Sequence, residues 1–240
     1  MTVYVISGTR AGLGLEYVRQ LSTTPTNTIF ALVRSLTADL TALQTIQSHP
    51  TTLAKIHILE CDVSSPTSIS ALPSLVLTTT PNLQIDILLN NAAILHDHTT
   101  TTLALTPSAL LSHLTTNTLG PVLLLQALYP YLAPFARVVN ISSGAGSLSL
   151  ISSGRLGPIL TAYSVSKAAL NMLTLHQARQ VREGVVVVAV DPGHAKTEMG
   201  GEGAVLEVEE SVRGVLKVVD GLGMGDKGRF LLYNGGEVEW

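Results

Sequence analysis

At 240 residues, with 46% hydrophobic and only 13% charged side chains, the chain is long and apolar enough to bury the core of one α/β domain. A net charge of −3, with no basic block or stripe, argues against nucleic acid and anionic membrane as partners. The single cysteine, Cys61, excludes an intrachain disulfide and suits a reducing compartment; at a strand end it reads as a small buried apolar residue.

Met1 leads directly into Val3–Ser7, the first of seven short runs rich in Val, Ile and Leu that read as strands. The others are Thr28–Arg34, Lys55–Glu60, Gln84–Leu89, Arg137–Ile141, Val185–Val190 and Arg229–Leu232. Helical stretches fall between them at Leu13–Leu21, Ala38–Gln47, Ile69–Leu77, Pro107–Tyr131, Ala162–Arg182 and Glu209–Gly221. Runs apolar on both faces suit a parallel sheet covered by helices, and the alternation implies right-handed crossovers. The expected fold is α/β: a Rossmann-type, doubly wound parallel seven-stranded sheet with helices on both faces, in a single domain over residues 1–240. Leu148–Leu160, rich in Ser, Gly and Leu, reads as an irregular loop between Ser143 and Tyr163, placed to wall a substrate pocket. No leader fits ahead of the first strand, and no apolar run approaches the roughly 18 residues of a membrane helix. A cytoplasmic location is expected. The Asn140-Ile141-Ser142 triplet, at a strand end, is not expected to be glycosylated.

The first strand runs into Ser7-Gly8-Thr9-Arg10-Ala11-Gly12-Leu13-Gly14, which opens the first helix. Glycines at 8, 12 and 14 allow a tight turn and close approach of a pyrophosphate, toward which the helix N-terminus directs free N–H groups. A dinucleotide with a free ribose 2′-hydroxyl calls for an acid about 20 residues farther on; a 2′-phosphate calls for arginine. Here that place holds Arg34, no acid precedes Asp39, and Arg10 offers a second guanidinium. NADP(H) is therefore the expected cofactor. Asp62-Val63 after the third strand and Asn90-Asn91-Ala92-Ala93 after the fourth stand where doubly wound sheets bind ligands. Asp62 either accepts from an adenine amino group or caps a turn. Downstream, Tyr163 and Lys167 lie four apart on one helix face, which sets a cation beside a phenol.

Taken in order, the glycine turn, Asp62-Val63, the NNAA run at 90–93, Asn117, NISS at 140–143, YSVSK at 163–167 and Asp191-Pro192-Gly193 with Thr197 resemble the short-chain dehydrogenase/reductase family. The resemblance covers essentially the whole chain, and its tail is most similar to C-factor/sniffer-like carbonyl reductases, with fungal norsolorinic-acid-ketoreductase-like enzymes as neighbours. It implies that Tyr163 protonates a carbonyl oxygen, that Lys167 holds the nicotinamide ribose and stabilises the phenolate, and that Ser143 hydrogen-bonds the same oxygen. It further implies that Asn117 holds a water linking Lys167 to solvent, and that Pro192, Gly193 and Thr197 embrace the nicotinamide carboxamide. Ser142 competes with Ser143 for the carbonyl role.

Two departures stand out: Ala93 replaces a usual glycine, and the interval from Ser143 to Tyr163 is longer than is common. The expected activity is NADPH-dependent reduction of a ketone or aldehyde in a small, hydrophobic substrate. Its rivals are a non-redox isomerase, cyclase or dehydratase on the same fold, and a cofactor-binding signalling protein. His96-Asp97-His98 lacks a third ligand at metal spacing and reads as loop residues or, with His194, as pocket lining; no metal is expected. Gly200-Gly201 and Gly203 suggest either a mobile segment that closes over substrate or a plain loop. Leu170, Leu173 and Leu175 either pack on the sheet or face a second copy, leaving a homodimer or homotetramer open.

Overall fold

In a computed structural model, which describes residues 1–80, 83–96 and 98–240, seven strands form one sheet. They are β1 (Thr2–Ser7), β2 (Asn27–Val33), β3 (Lys55–Glu60), β4 (Ile85–Asn90), β5 (Leu132–Ile141), β6 (Val186–Asp191) and β7 (Phe230–Leu232). Their order is β3-β2-β1-β4-β5-β6-β7, and every neighbouring pair is parallel. The helices are α1 (Gly12–Leu21), α2 (Thr41–Ser48), α3 (Pro66–Thr79), α4 (Pro107–Leu114), α5 (Gly120–Leu128), α6 (Leu148–Ser152), α7 (Thr161–Gln180) and α8 (Val208–Gly221). Among the described residues no helix is long and apolar enough to cross a membrane.

Successive strand residues point to opposite faces, so a run apolar throughout builds two cores. Tyr4 and Ile6 pack with Val18 of α1 and Val212, Val215 and Val219 of α8. Val3 and Val5 pack on the other face with Leu72 of α3 and Leu124 and Leu128 of α5. Each such buried aliphatic side chain contributes about 1.5–3 kcal/mol relative to exposure. Strand order reverses between β1 and β4, and the crevice of such a sheet opens there, at the carboxyl ends of the strands.

Several elements differ from the sequence-based expectation. Strand β5 starts at Leu132, not Arg137, because residues around Pro134 bulge: Ile85 pairs with Leu132, while Ile87 pairs with Arg137. The expected helix over Pro107–Tyr131 is interrupted by a π-helical turn at Thr115–Leu119. Pro121 has no N–H to return to the carbonyl of Asn117, and the Gly120 amide reaches back to Thr115 instead. Helix α2 begins three residues late because Asp39 Oδ1 takes the Thr41 amide in a turn at 3.0 Å. Helix α3 begins early, capped by Ser65 with Pro66 in its first turn. The expected loop at Leu148–Leu160 opens with α6, capped by Ser147 Oγ on the Leu150 amide at 3.0 Å.

The C-terminal tail folds back over the sheet edge. Leu232 N donates to Gly236 O and Val238 N to Phe230 O, so β7 does not present an open row of backbone groups. Beyond it, Trp240 packs on Phe230, and Glu239 receives the hydroxyls of Ser147 and Ser149 and the guanidinium of Arg155. The tail thereby clasps the segment between Ser143 and Tyr163.

Candidate active site

The glycine turn is built for a guest that needs close backbone approach. Gly8 has φ +73°, and a Cβ there would stand 2.8 Å from Ala92 Cα. A Cβ on Gly12, at φ +56°, would stand 3.3 Å from Thr197 Cγ2, so the first turn lies against the segment after β6. Gly14 permits the first turn of α1 to sit on the Gly8 carbonyl. Ala11 provides no side-chain cap, so the first amides of α1 are left for an anion. Neighbours hold the turn rigid: Thr9 Oγ1 donates to Leu32 O at 3.1 Å, and Asn91 Nδ2 donates to Ser7 O at 2.9 Å. The amides of Asn91 and Ala92 both donate to Ser7 Oγ at 3.0 Å. A dinucleotide phosphate fits this cradle, and Gly14→Ala tests it. The added Cβ would lie 2.0 Å from Gly8 O, so the backbone must move. The expected result is loss of NADPH affinity by about 100-fold with destabilisation of about 1–3 kcal/mol, read by fluorescence titration and melting.

At the far end of the crevice, Arg34 and Arg10 are both exposed. Arg10 reaches the loop after β2: with larger contributions from the Thr41 amide and hydroxyl, it helps hold the Asp39 carboxyl below its usual range. Asp62 Oδ1 accepts from the Ser64 amide and hydroxyl at 2.9 and 2.7 Å, the turn-capping alternative, while Oδ2 has no hydrogen bond among the described residues. Val63 is buried and packs against Gly120, next to the π-helical turn. Asn90 does not line the crevice as expected. It is buried and donates to Asn140, which in turn reaches Thr174 and Gln177 of α7. Cys61 is buried, and burial pushes its thiol up to about 12, as befits a core residue.

Three segments bring the catalytic candidates together: the π-helical turn, the end of β5 and α7. Asn117, fully buried in the π-helical turn, accepts from Ile94 N at 2.8 Å and donates to Ile94 O and Ser166 Oγ, both at 3.0 Å. Ser166 in turn donates to the Tyr163 carbonyl at 2.7 Å. Lys167, only 2% exposed, donates from Nζ to Ile141 O at 2.7 Å and stands 5.5 Å from the centre of the Tyr163 ring. Burial lowers its pKa to about 8, with Asp191 pulling the other way. Tyr163 is half-buried at the cleft; burial raises its hydroxyl above the usual tyrosine range, and a hydrogen bond with the Ser143 hydroxyl pulls it down. Ser142 is spoken for elsewhere, donating to Asn171 Oδ1 at 2.5 Å. With Ser142 engaged by Asn171, Ser143 is the serine left to act on the Tyr163 hydroxyl.

The third wall follows β6. Asp191, Pro192 and Gly193 form a turn with φ +76° at Gly193. Asp191 was not among the expected site residues, although an Asp-Pro-Gly run announces a side chain folded onto its own backbone. The glycine-rich segment beyond is pinned: Ala195 bridges Leu206, Gly200 N donates to Thr197 Oγ1, and His194 Nε2 lies 2.7 Å from Gly200 O. A Cβ on Gly200 would meet Ala195 O at 2.1 Å, so that glycine serves packing. A Cβ on Gly201 would lie 3.6 Å from His98 Cε1, and His96 meets His113 edge-on. Asp97 lies outside the described residues. Leu170 packs inward, 1% exposed.

A family model for short chain dehydrogenases matches residues 2–204, so the chain belongs to that family. The C-signal protein of Myxococcus xanthus is 43% identical over 129 residues, 52% of this chain and 75% of that protein. The NADPH-bound carbonyl reductase from chicken fatty liver superposes with a TM-score of 0.89 at 33% identity, covering 100% of both chains. The carbonyl reductase Sniffer of D. melanogaster gives the same TM-score at 29% identity, again over 100% of both.

Proposed function

We propose that the chain is an NADPH-dependent carbonyl reductase that turns a ketone or aldehyde of a small, hydrophobic compound into an alcohol, with Tyr163 as the general acid. It is an oxidoreductase using NADP(H), as its family membership and NADPH-bound neighbours support. The observation that carries the finer reading is the buried Lys167 amine, held by Ile141 O at 2.7 Å and 5.5 Å from the centre of the Tyr163 ring, with Ser143 beside it at the end of β5.

When bound, NADPH supplies the hydride. The chain's own residues do the rest. Ser143 and Tyr163 would supply two hydroxyls to a carbonyl oxygen as it gains negative charge. Tyr163 gives its proton to that oxygen, and Lys167 stabilises the phenolate left behind. The Ile94 and Ser166 bonds hold Asn117, and with it the π-helical turn, against α7. Arg10 and Arg34 supply the positive charge that a 2′-phosphate requires. A hydrophobic substrate is supported by Leu150 and Leu156, which approach Gly144 next to Ser143.

The test is NADPH oxidation by the purified protein across a panel of ketones, aldehydes and quinones, with products weighed by mass spectrometry. The expected product is two hydrogens heavier than its substrate, one NADPH being consumed per product. An unchanged mass would favour isomerisation, and tight NADPH binding without turnover would favour a regulatory protein.

A further inference from the structure

We propose that Asp191 is a positioning residue that locks the serine wall of the active site to the nicotinamide wall. Its carboxylate lies at the end of β6 and bridges two backbone amides. Oδ2 accepts from Gly144 N at 2.7 Å, and Oδ1 accepts from Gly193 N at 2.8 Å. Gly144 directly follows Ser143, whereas Gly193 closes the Pro192 turn. One side chain therefore spans the segments that aim the hydroxyl and hold the ring.

The surroundings make this bridge specific. The turn is anchored from behind, because Ser211 Oγ donates to Pro192 O at 2.6 Å and Tyr233 N donates to Asp191 O at 2.8 Å. It is also packed, since a Cβ on Gly193 would meet Leu206 Cδ2 at 2.8 Å and Tyr233 Cδ1 at 3.0 Å. The serine segment is set against this anchored turn through Asp191. Gly144 keeps the approach open: a Cβ there would stand 3.1 Å from Asp191 Oδ2.

Two amides need two acceptors, and a carboxylate has them where an amide side chain has one. Two charge-assisted bonds also explain how the carboxylate tolerates a partly buried place. Burial raises its pKa, and the Gly193 and Gly144 amides oppose that, with smaller help from Lys167 and His194. Asp191 makes no ion pair with Lys167 or His194 among the described residues, so its short contacts are to backbone. Because rates fall steeply with misplacement of reacting groups, slack between the two walls is costly.

The kinetic part of this inference rests on the reductase reading; the binding and amide-exchange parts do not. Asp191→Ala and Asp191→Asn are compared with the parent by NADPH titration, by kcat and KM, and by hydrogen exchange at the Gly144 and Gly193 amides. The alanine variant is expected to lower kcat by about 10–100-fold, to weaken NADPH severalfold and to speed exchange at both amides. Asparagine keeps one acceptor for the turn and sets an N–H₂ against the other amide. It is expected to retain NADPH affinity, lose kcat and speed exchange at Gly144 alone. A role confined to stability would lower the melting temperature and leave these ratios unmoved. Unchanged kcat, NADPH affinity and exchange in the alanine variant would overturn the proposal; if that variant fails to fold, parental kcat and Gly144 exchange in the asparagine variant would do so. Absence of carbonyl turnover in the parent would overturn the reductase reading, while binding and exchange would still decide the bridge.

Discussion

Replacing Tyr163 with phenylalanine is expected to lower kcat for carbonyl reduction by about 10²–10⁴-fold, the usual worth of a positioned acid. NADPH affinity should stay within about twofold, because the ring and its packing remain while one oxygen is removed. The cluster's construction makes the change clean. The Tyr163 main chain is held by Ser166, and its ring keeps its place beside Lys167. Ser143 loses its hydroxyl partner and keeps its bond from the Ala145 amide at 3.1 Å. Retention of substantial activity in Tyr163→Phe would mean that water or Ser143 delivers the proton, and Tyr163 would then be a packing residue.

The sheet was legible because strands buried on both faces leave uninterrupted apolar runs, as Thr28–Val33 shows. The cofactor cradle was legible because glycine at 8, 12 and 14 serves backbone geometry, and that need is local. Where distant contacts decide, the sequence was mute. Strand β5 continues through exposed Phe135 only because its early residues pair with Ile85 across a bulge. The π-helical turn at Asn117 had a local cause in Pro121, four residues on, yet the run over 107–131 reads as one apolar helix. Asn90 and Asn91 look equivalent in sequence. The structure separates them, one sent into a buried network with Asn140 and the other against the Ser7 carbonyl. Glu239 reaches Ser147 and Ser149 across some ninety residues, a contact that no local pattern announces. For Asp191 the Asp-Pro-Gly run signals only the local bond from the Gly193 amide; the Gly144 amide, 47 residues away, carries no residue-specific signal.

The second large effect concerns Lys167→Met, in which stability and activity should part company. The ammonium is almost fully buried, bonded to Ile141 O, and makes no ion pair among the described residues. Burial lowers its pKa from 10.5 to about 8. At about 1.36 kcal/mol per unit, holding the charge at pH 7 costs the fold on the order of 3 kcal/mol. Methionine removes that cost, fills a similar volume, and leaves Ile141 O without its partner, a loss of about 1–3 kcal/mol. The variant should thus melt at or slightly above the parent temperature at pH 7. The sign of the pH dependence follows from proton counts. Between about pH 8 and 10.5 the unfolded chain holds a proton that folded Lys167 has lost, so parental stability rises with pH in that window. Below pH 8 both states are protonated and the full cost persists. The methionine variant lacks this rise, and its advantage should shrink as pH climbs from 8 toward 10. Activity moves the other way. Without the cation the Tyr163 phenolate is unsupported, and kcat should fall by about 10²-fold or more. In the parent, kcat/KM should decline as pH rises through about 8, where free Lys167 loses its proton. Melting curves from pH 6 to 10, beside the pH–rate profile, test both. A methionine variant less stable than the parent by the same amount at every pH would show that the amine serves packing and that its charge costs the fold nothing.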